Sequence, residues 1–173
     1  MKSHEQSGRG CNYQANRSGL IIEQDLPSDL RLLDDAVEGI VSMVRCAGCW
    51  EDADNIDLAL REAITNAIVH GNQCDHSKPV HIWIEFHRER GLLIIVKDAG
   101  PSFDPDRVPN PLLGPSRMSN HGRGIYLIKK CMDDVQFWFD SGTAICMRRY
   151  PHYTEKGPRL VWRRPSQSAS IPP

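Results

Sequence analysis

The sequence predicts an α+β domain arranged as a two-layer sandwich, a mixed sheet of about five strands with helices on one face. Three observations carry that prediction. Val80 to His87 alternates strictly, with Val80, Ile82, Ile84 and Phe86 on one side and His81, Trp83, Glu85 and His87 on the other, the pattern of a half-buried strand. Leu92 to Asp98 is a nearly continuous apolar run, typical of a central strand. Two upstream stretches instead repeat their apolar residues every three or four positions, the helical period.

Taken in chain order, residues 1–18 (MKSHEQSGRGCNYQANRS) are polar and without periodicity, and read as a flexible arm. The folded domain is expected over 19–150. It opens on Leu20-Ile21-Ile22, a short strand. Pro27-Ser28-Asp29 then signals a helix start, with Ser28 as N-cap and Asp29 favourable in the first turn. Leu30, Leu33, Val37, Ile40, Val41 and Val44 recur at helical spacing up to a stop near Gly48.

A second helix is predicted from about Asp52 to His70, with Gly71-Asn72 as its stop. Ile56, Leu60, Ile64, Ala67 and Ile68 cluster on one side, while Glu62, Asn66 and His70 follow at i, i+4, i+8 on the other. The alternating strand comes next, then a hairpin turn over Arg88 to Gly91 and the apolar strand that closes on Asp98. From Gly100 to about His121 the chain carries Pro101, Pro105, Pro109, Pro111 and Pro115. A connection this long without periodicity is more often functional than not in a compact domain, and it is predicted to form a lid around Phe103-Asp104-Pro105. Ile125 to Cys131 reads as a helix, and Val135–Phe139 with Thr143–Arg149 as a closing hairpin around Asp140-Ser141-Gly142. The tail 151–173 is rich in Pro and Ser, with Arg159, Arg163 and Arg164 near Trp162, and reads as a disordered end.

Bulk properties narrow the function classes. A chain of 173 residues fits one domain with a sizeable core, and 40% hydrophobic with 25% charged residues is ordinary for a globular protein. A formal net charge of −1 creates no global field that would recruit nucleic acid or an anionic membrane. No segment approaches the ~20 apolar residues that span a bilayer. The polar start has no apolar run behind its positive charges, so the expected address is the cytoplasm. Cys46 and Cys49 have redox or zinc spacing, with Cys74, His76 and His81 as imaginable further ligands. A structural zinc site usually needs two close pairs, and only one is close here. Buried cysteine acting as a small apolar residue is the commoner case.

Three short segments carry the chemistry. Glu62 and Asn66 lie one helical turn apart, so their side chains reach into one small volume. An amide carbonyl is a neutral, hard oxygen ligand suited to Mg²⁺, and a neighbouring carboxylate can accept a proton. On an isolated helix the same pair would be an ordinary solvated face. Asp98 ends an apolar strand, where an unpaired charge is expensive. Its partner is either an incoming donor, such as the exocyclic amine of adenine, or the backbone amides of a local turn. Gly122-Arg123-Gly124-Ile125 opens a helix, and bare amides at a helix N-terminus favour an anion.

In this order the segments resemble the ATP-binding domain shared by sensor histidine kinases, type II topoisomerases, Hsp90-like chaperones and mismatch-repair ATPases, the Bergerat or histidine-kinase-like ATPase fold. Within it the chain is most similar to the small anti-sigma-factor serine/threonine kinases of bacteria. Glu62 to Asn72 (EAITNAIVHGN) resembles their N box, Asp98 to Pro105 (DAGPSFDP) the first glycine box, Gly122 to Ile128 (GRGIYLI) the second, and Gly142-Thr143 the last. The likeness runs roughly from Leu20 to Arg149.

The resemblance implies ATP and Mg²⁺ as cofactors. It implies Asn66 as the magnesium ligand and Glu62 as the general base. It further implies that Asp98 reads adenine, Gly100 permits close approach of the base, Thr143 supports the base, and the stretch from Gly122 through Ile125, Arg123 and Gly124 included, binds phosphate. It also implies a sigma factor and an anti-anti-sigma protein as partners, a homodimer, and no direct contact with nucleic acid or membrane. Two other readings stand beside it. One is a nucleotide-sensing binding switch that transfers no phosphate. The other is the detached ATP domain of a histidine kinase, although the first predicted helix carries no phosphoacceptor histidine.

Overall fold

The computed structural model describes residues 11–16, 19–46, 53–87, 89–101, 123–139 and 141–150. Strands β1 (Cys11–Asn16), β2 (Gly19–Pro27), β3 (Pro79–His87), β4 (Gly91–Lys97), β5 (Asp134–Phe139) and β6 (Thr143–Arg149) form one sheet in the order β1-β2-β3-β4-β6-β5. Helices α1 (Leu33–Cys46), α2 (Ala53–Asn66) and α3 (Arg123–Cys131) pack against one face, giving the expected α+β sandwich. Among the described residues no helix is long and apolar enough to cross a membrane.

The alternation along β3 decides which face is covered. Val80, Ile82, Ile84 and Phe86 are buried, and they meet Leu92, Ile94 and Val96 of β4 under the helices. From above, Val37, Ile40 and Val41 of α1 and Ile56, Leu60 and Ile64 of α2 close the core. Each fully buried isoleucine contributes roughly 1.5–3 kcal/mol of transfer free energy. On the opposite face Ile95, Ala144 and Cys146 form a smaller apolar patch edged by Trp83, Leu93 and Trp138.

Three expectations are corrected. Among the described residues the sheet has six strands rather than about five, because Cys11–Asn16, part of the predicted flexible arm, pairs with β2 from Cys11 opposite Gln24 to Asn16 opposite Gly19. An edge strand needs only a free row of backbone groups beside it, so a polar sequence without apolar alternation can supply one. The sheet is also antiparallel at every pairing among the described residues, not mixed. A helix between β4 and β5 suggests a parallel pair, but β6 turns back through a hairpin and inserts between them. Finally, Ser28 caps nothing. Asp29 caps a short 3-10 turn (Leu30–Leu32) that leads into α1, accepting the backbone N–H of Arg31, while Ser28 is wholly buried elsewhere.

Helix α2 ends in a π turn, Ala67–Gly71, where the predicted helix simply runs on to His70. The wider turn breaks the i, i+4, i+8 line, so His70 is exposed while Glu62 and Asn66 are half-buried. The predicted lid, Gly122 with His121 before it, residues 1–10 and the tail 151–173 lie outside the described residues.

Candidate functional site

The sheet end of the site is built on Asp98, which is only 6% exposed at the end of β4. Its Oδ1 accepts the backbone N–H of Gly100 at 2.9 Å and of Thr143 at 3.0 Å. The Asp98 N–H donates back to the Thr143 carbonyl at 2.9 Å, so the β4 end and the start of β6 hold each other. The turn reading of Asp98 is therefore correct for one carboxylate oxygen. Oδ2 has no hydrogen-bond partner among the described residues and remains able to accept from a ligand. Gly142, at φ +128°, brings β6 in close, and a Cβ there would overlap the Asp98 carbonyl.

A cavity of ≈ 330 Å³, its open mouth included, lies between α2, α3 and this sheet end. Asn66, Asp98, Ile125 and Thr143 all line it, four residues drawn from three of the sequence segments and the closing hairpin. Its apolar walls come from Val96, Phe137 and Ile145. Thr143 is 5% exposed, and its Oγ1 has no hydrogen-bond partner among the described residues. An orphaned buried hydroxyl beside a half-used carboxylate is a polar edge that a planar base with an amine would satisfy.

At the other end, Gly124 of α3 sits over the acid and amide of α2. A Cβ added to Gly124 would come within 2.7 Å of Glu62 Oε2 and 3.2 Å of Asn66 Nδ2. The first turn of α3 therefore lies directly against the Glu62–Asn66 pair, close enough that a methyl at 124 would make the Glu62 carboxylate shift. Arg123, the first residue of α3, is exposed. Two hard side-chain oxygens, one neutral and one anionic, beside bare helix amides suit a divalent ion and phosphate.

Gly100 has a different neighbour from the one expected. It does not line the cavity. A Cβ at Gly100 would overlap the carbonyl and Cα of Gly71, so the glycine is required by the chain behind the turn rather than by a base in front of it. Sequence reasoning also passed over Asn72. Read as a helix stop, it is in fact wholly buried and bonded to three separate segments. Nothing local marks an asparagine after Gly as a hub rather than a cap. Cys46 and Cys74 of the imagined metal set are exposed, whereas burial raises the thiol pKa of Cys131 and Cys146.

Residues 26–149 match the family model of the histidine kinase-like ATPase domain. The serine-protein kinase RsbW of Bacillus velezensis is 29% identical over 139 residues, 75% of this chain and 84% of that protein. RsbW of Bacillus subtilis is 31% identical over 121 residues, covering 66% of this chain and 73% of its own length. RsbW of Listeria innocua is 30% identical over 123 residues, covering 66% and 75%. The chain belongs to the anti-sigma-factor serine-protein kinase family of histidine kinase-like ATPases. In this kinase the matched span contains every element that borders the cavity, from α2 through β6.

Proposed function

We propose that this protein is a cytoplasmic, ATP-dependent serine/threonine kinase acting as an anti-sigma factor. It transfers the γ-phosphoryl group of ATP to a hydroxyl on an anti-anti-sigma protein, and as a homodimer it binds a sigma factor. One observation carries the nucleotide part: Asn66, Asp98, Ile125 and Thr143 line a single cavity, with Glu62 and Gly124 beside Asn66. Family membership supports the rest.

Asp98 Oδ2 accepts from the exocyclic amine of adenine, and the Thr143 hydroxyl completes the polar edge of the base. Val96, Ile145 and Ile125 contact its flat faces, excluding water from the hydrogen bond. The first turn of α3, with Gly124, offers backbone N–H groups to the phosphates, and Arg123 adds a positive charge at their side; a phosphate role for Gly122 rests on the family resemblance alone. Asn66 Oδ1 would hold Mg²⁺, whose contribution when bound is to neutralise phosphate charge. Glu62 accepts the proton of the attacking hydroxyl. The new bond joins that oxygen to the γ-phosphorus, the bond to the β-bridging oxygen breaks, and ADP leaves with the electron pair.

The test is incubation of the purified protein with γ-labelled ATP and its cognate anti-anti-sigma protein. Acid-stable label on a partner Ser or Thr is expected. Tight ATP binding with no label on the partner would make the protein a nucleotide-sensing switch. Acid-labile label would move it toward histidine chemistry.

A further inference from the structure

We infer that Gly71 and Asn72, at the end of the π turn after α2, are positioning residues for base selection: they fix the depth of the Asp98–Gly100 turn. The inference rests on the assignment of Asp98 to adenine made above.

Asn72 is a fully buried polar side chain whose amide is used on both sides. Nδ2 lies 2.9 Å from Ser28 Oγ, 3.0 Å from the Lys78 carbonyl and 3.2 Å from the Pro79 carbonyl, donating to the link from β2 and the entry to β3. Oδ1 accepts the Ala99 N–H at 2.8 Å, inside the turn that follows Asp98. Ser28 Oγ in turn donates to the Lys78 carbonyl at 2.6 Å, closing the network. Only an amide serves here, because a carboxylate would face two carbonyls with no proton to give. A helix-capping asparagine would bond to its own helix, yet none of these partners belongs to α2. The backbone N–H of Asn72 closes the π turn onto the Ala67 carbonyl at 2.7 Å, which sets where the side chain begins.

Gly71 works from the other side. A Cβ there would overlap the Asp98 carboxylate at Cγ and Oδ2, and the Gly71 carbonyl is what a Cβ on Gly100 would strike. Main chain thus lies against the acid and against the turn, while Asn72 ties the residue between them. The turn is thus held from both sides, and with it the Asp98 carboxylate at the cavity wall.

The experiment measures dissociation constants of Mg-ATP and Mg-ITP, whose base carries oxygen in place of the amine. Titration calorimetry would use the full chain, Asn72→Ala and Gly71→Ala, each below its own melting temperature. The wild type is expected to prefer ATP by about tenfold or more, the worth of a hydrogen bond to a charged group. Each variant should bring the ratio to within about twofold, with ITP affinity little changed because the phosphates bind at the far end. A wild type that does not distinguish the two nucleotides overturns the Asp98 assignment and this inference with it. A discriminating wild type whose folded variants keep the ratio, losing only melting temperature, overturns the inference alone. Gly71→Ala removes no side-chain hydrogen bond, so it decides the matter if Asn72→Ala does not fold.

Discussion

At the Asp98 end of the cavity the turn itself is held by the protein: Oδ1 takes two backbone amides and Asn72 ties Ala99, while Oδ2 and the Thr143 hydroxyl have no partner among the described residues. At the Glu62 end, the acid and amide of α2 make no side-chain hydrogen bond or ion pair among the described residues, and Gly124 of α3 lies against them. On the proposed function, the difference matches what each end would handle. Reading a base is a matter of shape and one donor, so rigidity set in advance serves it. Passing a proton and holding an ion require side chains whose lone pairs are not already committed. The same helix supplies both ends, rigid through its π turn and open one turn earlier.

The sharpest way to break this contrast is Glu62→Gln. Loss of the proton acceptor should slow phosphoryl transfer by roughly 10²–10⁴-fold, the usual contribution of a general base. Since Glu62 is bonded to nothing in the described structure, ATP affinity and urea midpoint should stay near wild type. Transfer kinetics, calorimetry and denaturation together would check this. A large fall in stability would mean that the acid belongs to the fold, and an active variant would remove it from the chemistry.

Gly124→Ala should separate the two ends more finely. The added methyl meets the far end of the flexible Glu62 side chain and the Asn66 amide rather than backbone, so the fold can absorb it. Replacing a helical glycine removes conformational freedom from the unfolded chain and should raise stability by up to ~1 kcal/mol. Turnover should nevertheless fall by about tenfold, because small displacements of catalytic groups are costly. Melting temperature and kcat measured on the same preparation would test the opposed signs. A variant both stable and fully active would show that clearance above Glu62 is not needed.

How much of this was legible beforehand also divides between the two ends. Glu62, Asn66 and the opening of α3 were readable because their relation is local: one helical turn and one Gly-x-Gly before an apolar run. Asp98 was readable as a charge that an apolar strand could not leave unpaired. The roles of Gly71, Asn72 and Gly100 were not, since each depends on a contact between segments at least 27 residues apart, as the Asn72–Ala99 bond is. Periodicity records which face of an element is buried but not what it is buried against. Strand β1 escaped for a related reason, as its pairing uses backbone groups that every sequence carries.

The smallest effect concerns the outer anchor of the rigid end. Ser28 joins the Asn72 network, and the next residue, Asp29, holds the 3-10 turn by accepting from the Arg31 backbone and pairing with its guanidinium at 2.6 Å. Those hydrogen bonds to Arg31 lower the Asp29 pKa from its ordinary 3.8 to about 2. A carboxyl whose folded value is depressed stabilises the fold fully above its unfolded value and loses that contribution as pH falls toward the folded value. The gap in urea midpoint between wild type and Asp29→Ala should therefore be constant from neutral pH down to about 5 and shrink below 3.8, toward nothing near 2. Because Arg31 is exposed, the gap should also narrow in high salt, unlike any loss caused by Asn72→Ala. If the gap ignored both acid and salt, the cap geometry rather than the charge would be holding the turn, and the network behind Asp98 would rest on an uncharged anchor.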